Sequence, residues 1–271
     1  MHSGKVIVTG ASGFIGRHVV EKLSELNIPT IAIVRDENKA KLLTELRHAE
    51  IFKLDVFDGF LSVNQCHESS LIHCAWDGVR NTFSMTHIEE DYAKHYKFIK
   101  SAINSGVKKI IVTGSLSEYG LAYGPMSPHR ETSPNTPYAL AKDMLHRSLR
   151  LLQDQIGFEM IWARLFYIHG LHQDKNAILQ QLTEAIKRGD QSFKCSPCNQ
   201  LMDYLSVNEA ASQLINLLKA KDGVYNVCSG NPVSLREFLE EKIKEMNSKI
   251  KLDMGYYPYR KQDSIAIWGM K

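Results

Sequence analysis

The sequence predicts an α/β fold: a doubly wound parallel sheet carrying a smaller C-terminal substrate-binding lobe. Three observations predict it. Apolar runs of strand length recur along the first part of the chain: KVIVTG, TIAIVR, EIFKLDV, SLIHCAW and KKIIVTGS. Segments with apolar residues at i, i+3 and i+4 separate them. A glycine-rich turn joins the first run to the first helical segment. Strands without alternation, separated by helices, imply a parallel sheet buried on both faces. Helices then cover both sides of that sheet.

Taken in order, FIGRHVVEKLSEL, NKAKLLTELRH and THIEEDYAKHYKFIKSAINSG carry the helical period between the strands. YALAKDMLHRSLRLLQDQIG reads as a further long helix and EMIWARLFYIHG as a sixth strand. After about residue 170 the alternation loosens, with NAILQQLTEAIKRGD and LREFLEEKIKEMNS helical and GVYNVCS a short strand. Residues 1–170 are therefore expected to form the sheet domain, and 171–271 a lobe interleaved with it.

At 271 residues, 44% hydrophobic and 23% charged, the chain can bury one large core with a lobe attached. No apolar run is long enough to span a bilayer, and MHSGKVIVTG lacks the pattern of a signal peptide. The net charge of +3 is spread over scattered basic residues, which argues against a nucleic-acid surface. Five cysteines, an odd number, fit reduced thiols and a cytoplasmic location.

VTGASGFIG places Gly10, Gly13 and Gly16 between a strand and a helix. Residues without a Cβ let the backbone approach a pyrophosphate, and the helix N-terminus supplies free N–H groups. Thr9, Gly10, Ser12, Gly13, Phe14, Ile15 and Gly16 are the candidate cradle of an NAD(P)-binding Rossmann domain. The second strand ends in Arg35, 19 positions beyond Gly16, where an acid would favour NAD. An arginine there can pair with a 2′-phosphate, so NADP(H) is expected, with NAD still possible because Asp36 follows directly. Asp55 and Val56, after the third strand, are candidates to flank the adenine.

Tyr138 and Lys142 are i and i+4 at the start of a helical pattern, so they share a face. A nearby ammonium lowers a phenol's pKa and suits it to proton transfer. Such a pair can equally be ordinary first-turn helix. Ser115 lies at the C-terminal end of a parallel strand, where open α/β sheets bind ligands, and its hydroxyl can hold a carbonyl beside the phenol.

TGASGFIG, LDVFD, LIHCAW, GVKKIIVTGSLSEYG, PYALAK, ARLFYIHG, MDYLSVNEAA and GVYNVCSG together resemble the extended short-chain dehydrogenase/reductase family of nucleotide-sugar epimerases, dehydratases and reductases. The resemblance covers essentially the whole chain. It implies Tyr138 as acid/base, Lys142 on the nicotinamide ribose and Ser115 as the carbonyl-orienting hydroxyl. It also implies Ala75, Trp76 and Phe166 beside the cofactor. Trp76, Ser115, Ser117, Tyr138, Tyr167 and Arg260 would meet the substrate, and the chain would form a homodimer through residues 87–105 and 136–155.

Departures narrow the reaction. Family dehydratases carry an Asp-Glu pair where this chain has Leu116 and Ser117, which cannot serve as acid or base. HCAW and RLFYIHG resemble segments of bacterial 4-keto-6-deoxysugar reductases, with Tyr167 where many epimerases carry asparagine. Met202 stands where many relatives have an arginine, which puts the usual diphosphate clamp in doubt. The resemblance thus implies NADPH-dependent reduction of the C4 ketone of a nucleotide-diphosphate 4-keto-6-deoxysugar, with an NAD-dependent nucleotide-sugar 4-epimerase as the alternative. The single CSPC at Cys195 and Cys198 has no second ligand pair, so no metal is expected. His73 reads as a core histidine, and His169 falls near the expected nicotinamide.

Overall fold

The structure is a computed structural model that describes residues 4–36, 38, 43, 46–57, 59–259 and 264–271. β1 (Val6–Thr9) is wholly buried and runs through the glycine turn into α1 (Phe14–Glu25). β2 (Thr30–Val34), β3 (Ala49–Lys53), the short α2 (Val63–Cys66) and β4 (Ser70–His73) follow. A π-helical turn, His87–Asp91, leads into α3 (Tyr92–Asn104). β5 (Lys109–Ser115) passes through a 3-10 turn, Leu116–Tyr119, to β6 (Gly124–Met126). α4 (Pro137–Ile156) and β7 (Glu159–Leu165) come next.

The later elements are β8 (Tyr167–His169), α5 (Ile178–Arg188), β9 (Ser192–Lys194), β10 (Leu201–Met202), β11 (Tyr204–Ser206) and α6 (Val207–Asn216). They end with β12 (Gly223–Val227), β13 (Val233–Ser234), α7 (Leu235–Glu245), β14 (Lys251–Asp253) and β15 (Ala266–Gly269).

Among the described residues the main sheet has seven strands in the order β12-β7-β5-β4-β1-β2-β3, all paired in parallel. The order reverses between β1 and β4, which opens a crevice at their carboxyl ends. Val19, Val20 and Leu23 of α1 pack with Ala210, Ala211 and Leu214 of α6 on one face. Phe98, Ile99 and Ala102 of α3 and Leu145, Leu149 and Leu152 of α4 cover the other. Each large side chain buried this way contributes roughly 1.5–3 kcal/mol, so the two apolar layers clamp the sheet.

One expectation changes. The run 159–170 is two strands: β7 stays in the main sheet, and β8 pairs with β11 instead. The chain turns at Phe166, whose N–H still reaches Val227 O at 3.1 Å while the Tyr167 N–H bonds Asp203 O at 3.3 Å. The sequence does not mark this change of partner, because the new partner, β11, lies far along the chain. The helical pattern at 38–48 falls largely outside the described residues.

The main sheet draws β12 from beyond residue 170, and β6 pairs with β15 in a second, four-stranded sheet, β13-β10-β15-β6. α5 and α7 pack on their own core of Leu182, Phe238 and Leu239. No helix among the described residues is long and apolar enough to cross a membrane.

Gly10 and Gly16 fix the β1–α1 turn. Gly10 has φ +64°, and a Cβ there would stand 2.9 Å from the backbone of Ala75. A Cβ on Gly16 would lie 2.3 Å from the Gly10 carbonyl oxygen, backbone against backbone. Gly16→Ala should therefore cost about 1–3 kcal/mol by overpacking. That would lower the thermal midpoint by about 2–4 °C per kcal/mol in calorimetry. An unchanged midpoint would show that the turn can relax.

Candidate functional site

The carboxyl ends of β1, β4 and β5 bring together the glycine turn, the Cys74–Asp77 segment and Ser115. At α1 the N-cap is Gly13, which offers no side-chain acceptor, and the first turn holds no acid. Its leading N–H groups thus lack side-chain partners, and the buried Arg17 Nε in the same turn has none either among the described residues. That donor set fits a pyrophosphate. Thr9, the last residue of β1, is buried; its Oγ1 accepts from the Ala75 N–H at 3.3 Å and lies 2.8 Å from His73 Nδ1.

Ser115 is held by a capping box that the sequence carries as SLSE. Its Oγ accepts from the Ser117 N–H at 3.1 Å, and its own N–H donates to Glu118 Oε1 at 2.7 Å. Glu118 is fully buried. It also accepts from Trp162 Nε1 at 2.9 Å and Arg164 Nε at 2.8 Å. Burial raises the Glu118 pKa, while the Arg164 charge and the donated hydrogen bonds oppose the rise; every partner is a donor, which favours the carboxylate form. Arg164 in turn donates to Pro128 O and lies over the Tyr119 ring at 4.6 Å.

Thr136 caps α4, accepting from the Ala139 N–H at 3.2 Å, with Pro137 in the first turn. The helix thereby starts at the site and presents Tyr138 and Lys142 inward, 8% and 1% exposed. Lys142 Nζ donates to the Thr113 carbonyl of β5 at 2.8 Å and stands 4.0 Å over the Trp76 ring. Burial lowers the Lys142 pKa from 10.5 to about 7, against the charge of Glu118. The expectation that Lys142 lowers the Tyr138 pKa is not met. Tyr138 is raised above 10.0, first by burial and then by the Glu118 charge, while a hydrogen bond with the Ser115 side chain opposes the rise. The phenol is therefore held neutral, the form that donates a proton.

Trp76 is fixed on three sides. His95 stacks on it at 4.3 Å and 6°, its Nε1 donates to His87 Nδ1 at 3.2 Å, and its edge meets Tyr138 at 6.0 Å. His87 Nδ1 also lies 3.1 Å from Asp91 Oδ2. His73 Nε2 lies 2.8 Å from His95 Nδ1, and burial pushes His73 down to about 3, so both rings stay neutral.

The other expected residues are placed as follows. Ser12, Phe14 and Ile15 sit on the glycine turn with Gly10, Gly13 and Gly16. Asp55 Oδ1 accepts from the Phe57 N–H at 3.0 Å, and Val56 is in the core. Phe166 is buried with Tyr119 and Met202. Ser117 is half-buried in the 3-10 turn, and Tyr167 stacks obliquely on Tyr204 at 6.0 Å. His169 packs against Phe238 at 4.9 Å, on the lobe. Arg260 lies outside the described residues. Arg35 is not free: its guanidinium grips Asp77 with both arms, at 2.5 and 2.9 Å. Glu118, His87, Asp91 and Asp77 escaped the sequence reading. Only Glu118 had a local signal, the capping-box spacing; the others depend on tertiary placement.

The profile of the NAD dependent epimerase/dehydratase family matches residues 6–228. A dTDP-6-deoxy-L-talose 4-dehydrogenase (NAD(+)) from Aggregatibacter actinomycetemcomitans is 32% identical over 98% of this chain and 99% of that protein. A dTDP-4-dehydro-6-deoxyglucose reductase from Escherichia coli is 21% identical over 90% of this chain and 82% of that one. The solved UDP-N-acetylglucosamine 4-epimerase from Methanobrevibacter ruminantium M1, in complex with UDP-N-acetylmuramic acid, is 22% identical. It superposes with a TM-score of 0.88 over 100% of this chain and 90% of that one, a likeness of fold.

Two outcomes test this geometry. Glu118→Ala leaves the Arg164 charge buried without its partner and should cost roughly 3–5 kcal/mol in urea unfolding; a loss below about 1 kcal/mol would contradict the assignment. Lys142 titrates lower folded than unfolded, so between about pH 7 and 10.5 the unfolded chain binds more protons and stability rises with pH. Lys142→Met removes this burden. Its gain over the parent should be largest below pH 7 and fade toward pH 10.5, and a gain independent of pH would contradict it.

Proposed function

Because this chain belongs to the NAD dependent epimerase/dehydratase family, we propose that it transfers a hydride between a nicotinamide cofactor and C4 of a nucleotide-diphosphate 6-deoxyhexose. The reaction interconverts the 4-alcohol and the 4-ketone, and reduction of the ketone is the biosynthetic direction. One observation carries the reading: Ser115, Tyr138 and Lys142 converge at the carboxyl edge of the sheet, next to the glycine turn.

The nicotinamide supplies or accepts the hydride. The protein handles the proton. The Ser115 Oγ accepts from the Ser117 N–H, and its hydroxyl proton, turned toward Tyr138, can pass to a C4 oxygen placed beside the phenol. Tyr138, held neutral, donates to the same oxygen and releases its proton as negative charge builds there. In the oxidative direction it takes the proton back. Lys142 borders the phenol and gives the site a cation whose charge responds to small changes in its surroundings near neutral pH.

Elimination of water has no support. Leu116 and Ser117 carry no acid or base, and the neighbouring carboxylate, Glu118, is buried under four N–H contacts. A dTDP-linked substrate is suggested by the relatives from Aggregatibacter and Escherichia. The NADPH preference expected from Arg35 is not kept in the proposal, because Asp77 already fills that fork; NAD(H) is the proposed cofactor.

Tyr138→Phe should slow cofactor turnover with dTDP-4-dehydro-6-deoxyglucose by about 100- to 10,000-fold, as expected for a lost general acid. Sugar-nucleotide binding should stay within a few-fold by calorimetry. A variant retaining parental turnover would exclude Tyr138 as the proton donor.

A further inference from the structure

Arg35 and Asp77 come from strands that are not neighbours. Arg35 follows β2 and Asp77 lies beyond β4, while β1 runs between β2 and β4. Adjacent strands stand about 4.8 Å apart, so the two loops start roughly 10 Å apart on either side of the glycine turn. Their side chains nevertheless meet in a two-armed ion pair, with contacts of 2.5 and 2.9 Å. The pair therefore crosses the end of β1 beside the glycine turn, and its Arg35 partner stands just past β2, the position from which a residue meets the ribose 2′-hydroxyl in a sheet of this topology.

Asp36, the acid adjacent to Arg35, makes a local turn in which its Oδ1 accepts from the Asn38 N–H at 2.9 Å. Asp77 also borders a cavity of about 380 Å³ lined by Phe57, Gly78, His87, Asp91 and Lys94. That volume is within the range of small-molecule sites. Phe57 follows β3, and His87 and Asp91 belong to the π-helical turn, so this cavity lies between the loop after β3 and the segment after β4.

We propose that Asp77 is the specificity-determining residue for the cofactor's 2′ position: it supplies, from the β4 loop, the carboxylate that position 35 lacks. A ribose 2′-hydroxyl can donate to the Asp77 carboxylate while Arg35 holds that carboxylate in place. A 2′-phosphate meets the opposite situation. It must displace Asp77 from the arginine fork, since one guanidinium edge cannot be bidentate to both anions. It must also sit beside the displaced carboxylate, where like charges repel. Arginine after β2 thus acts as a brace for an acid and not as a phosphate receptor. The inference rests on the reading of the glycine turn as a nicotinamide-dinucleotide site.

The test measures NADH and NADPH dissociation constants by energy transfer from tryptophan to the bound dihydronicotinamide, with no sugar present. The parent should prefer NADH. Asp77→Asn keeps the side chain's shape, removes its charge and frees Arg35. The ratio of NADPH to NADH affinity should then rise about tenfold or more, a change of about 1.4 kcal/mol. Arg35→Ala in the Asp77→Asn background should cancel most of that rise. A ratio that Asp77→Asn leaves unchanged, or a parent that prefers NADPH tenfold, would overturn the assignment of Asp77. Binding of neither dinucleotide by the folded parent would instead overturn the reading of the glycine turn. Both side chains are substantially exposed, 53% and 41%, so these substitutions leave the core intact.

Discussion

The buried carboxylate of Glu118 is the interaction on which the site depends. It ties the end of β5 to β7 through Ser115 N, Trp162 and Arg164. Arg164 extends the network to Pro128 O and the face of Tyr119, and the Tyr119 hydroxyl donates to Asn226 on β12. Asn226 then donates to Met126 O and Met270 O, so the sheet and the lobe are joined through one polar chain. Removing charges from water is costly and is offset only when every lone pair and proton finds a partner. Here the partners come from four separate strands. Ser115 can keep its place only if those strands are registered correctly. The cost of a buried charge is thus converted into positional precision where a hydroxyl must face a phenol.

The same charge shapes the acid–base properties of the pair above it. Burial alone drives Tyr138 toward the neutral phenol and Lys142 toward the neutral amine. Glu118 adds to the first tendency and opposes the second. The site therefore combines a proton donor that stays protonated with a lysine poised near neutrality. An account based only on the helical spacing of tyrosine and lysine reverses the sign for the phenol, because it counts the ammonium and omits the desolvation. Trp76 mediates between the elements: the cation rests over its ring, the neutral His95 imidazole stacks on it, and its N–H is directed to His87.

Much of this was legible in the chain. Continuous apolar strands marked the parallel sheet, glycines at spaced positions marked the β1–α1 turn, and the helical period of YALAKDMLHRSLRLLQDQIG marked α4. What the sequence could not reveal were contacts between residues far apart in the chain. The split at Phe166 depends on Asp203 and Val227 receiving adjacent N–H groups. The meaning of Arg35 depends on an aspartate 42 residues later. Phe166, read as a neighbour of the cofactor, is buried with Met202 in an apolar cluster that no local period announces. Position-by-position resemblance assigns a role to each residue alone. Here the Arg35 guanidinium is already paired with Asp77.

The central claim is that a nicotinamide bound beside Ser115, Tyr138 and Lys142 exchanges a hydride with C4 of a sugar nucleotide while Tyr138 handles the proton. The most direct measurement uses NADH deuterated at nicotinamide C4 on the transferring face, with dTDP-4-dehydro-6-deoxyglucose as acceptor and NMR of the product. The account predicts deuterium at C4 of the reduced sugar, with matching loss from the cofactor. A product lacking deuterium at C4, or a cofactor that keeps its label while a fully hydroxylated sugar nucleotide is epimerised, would contradict it.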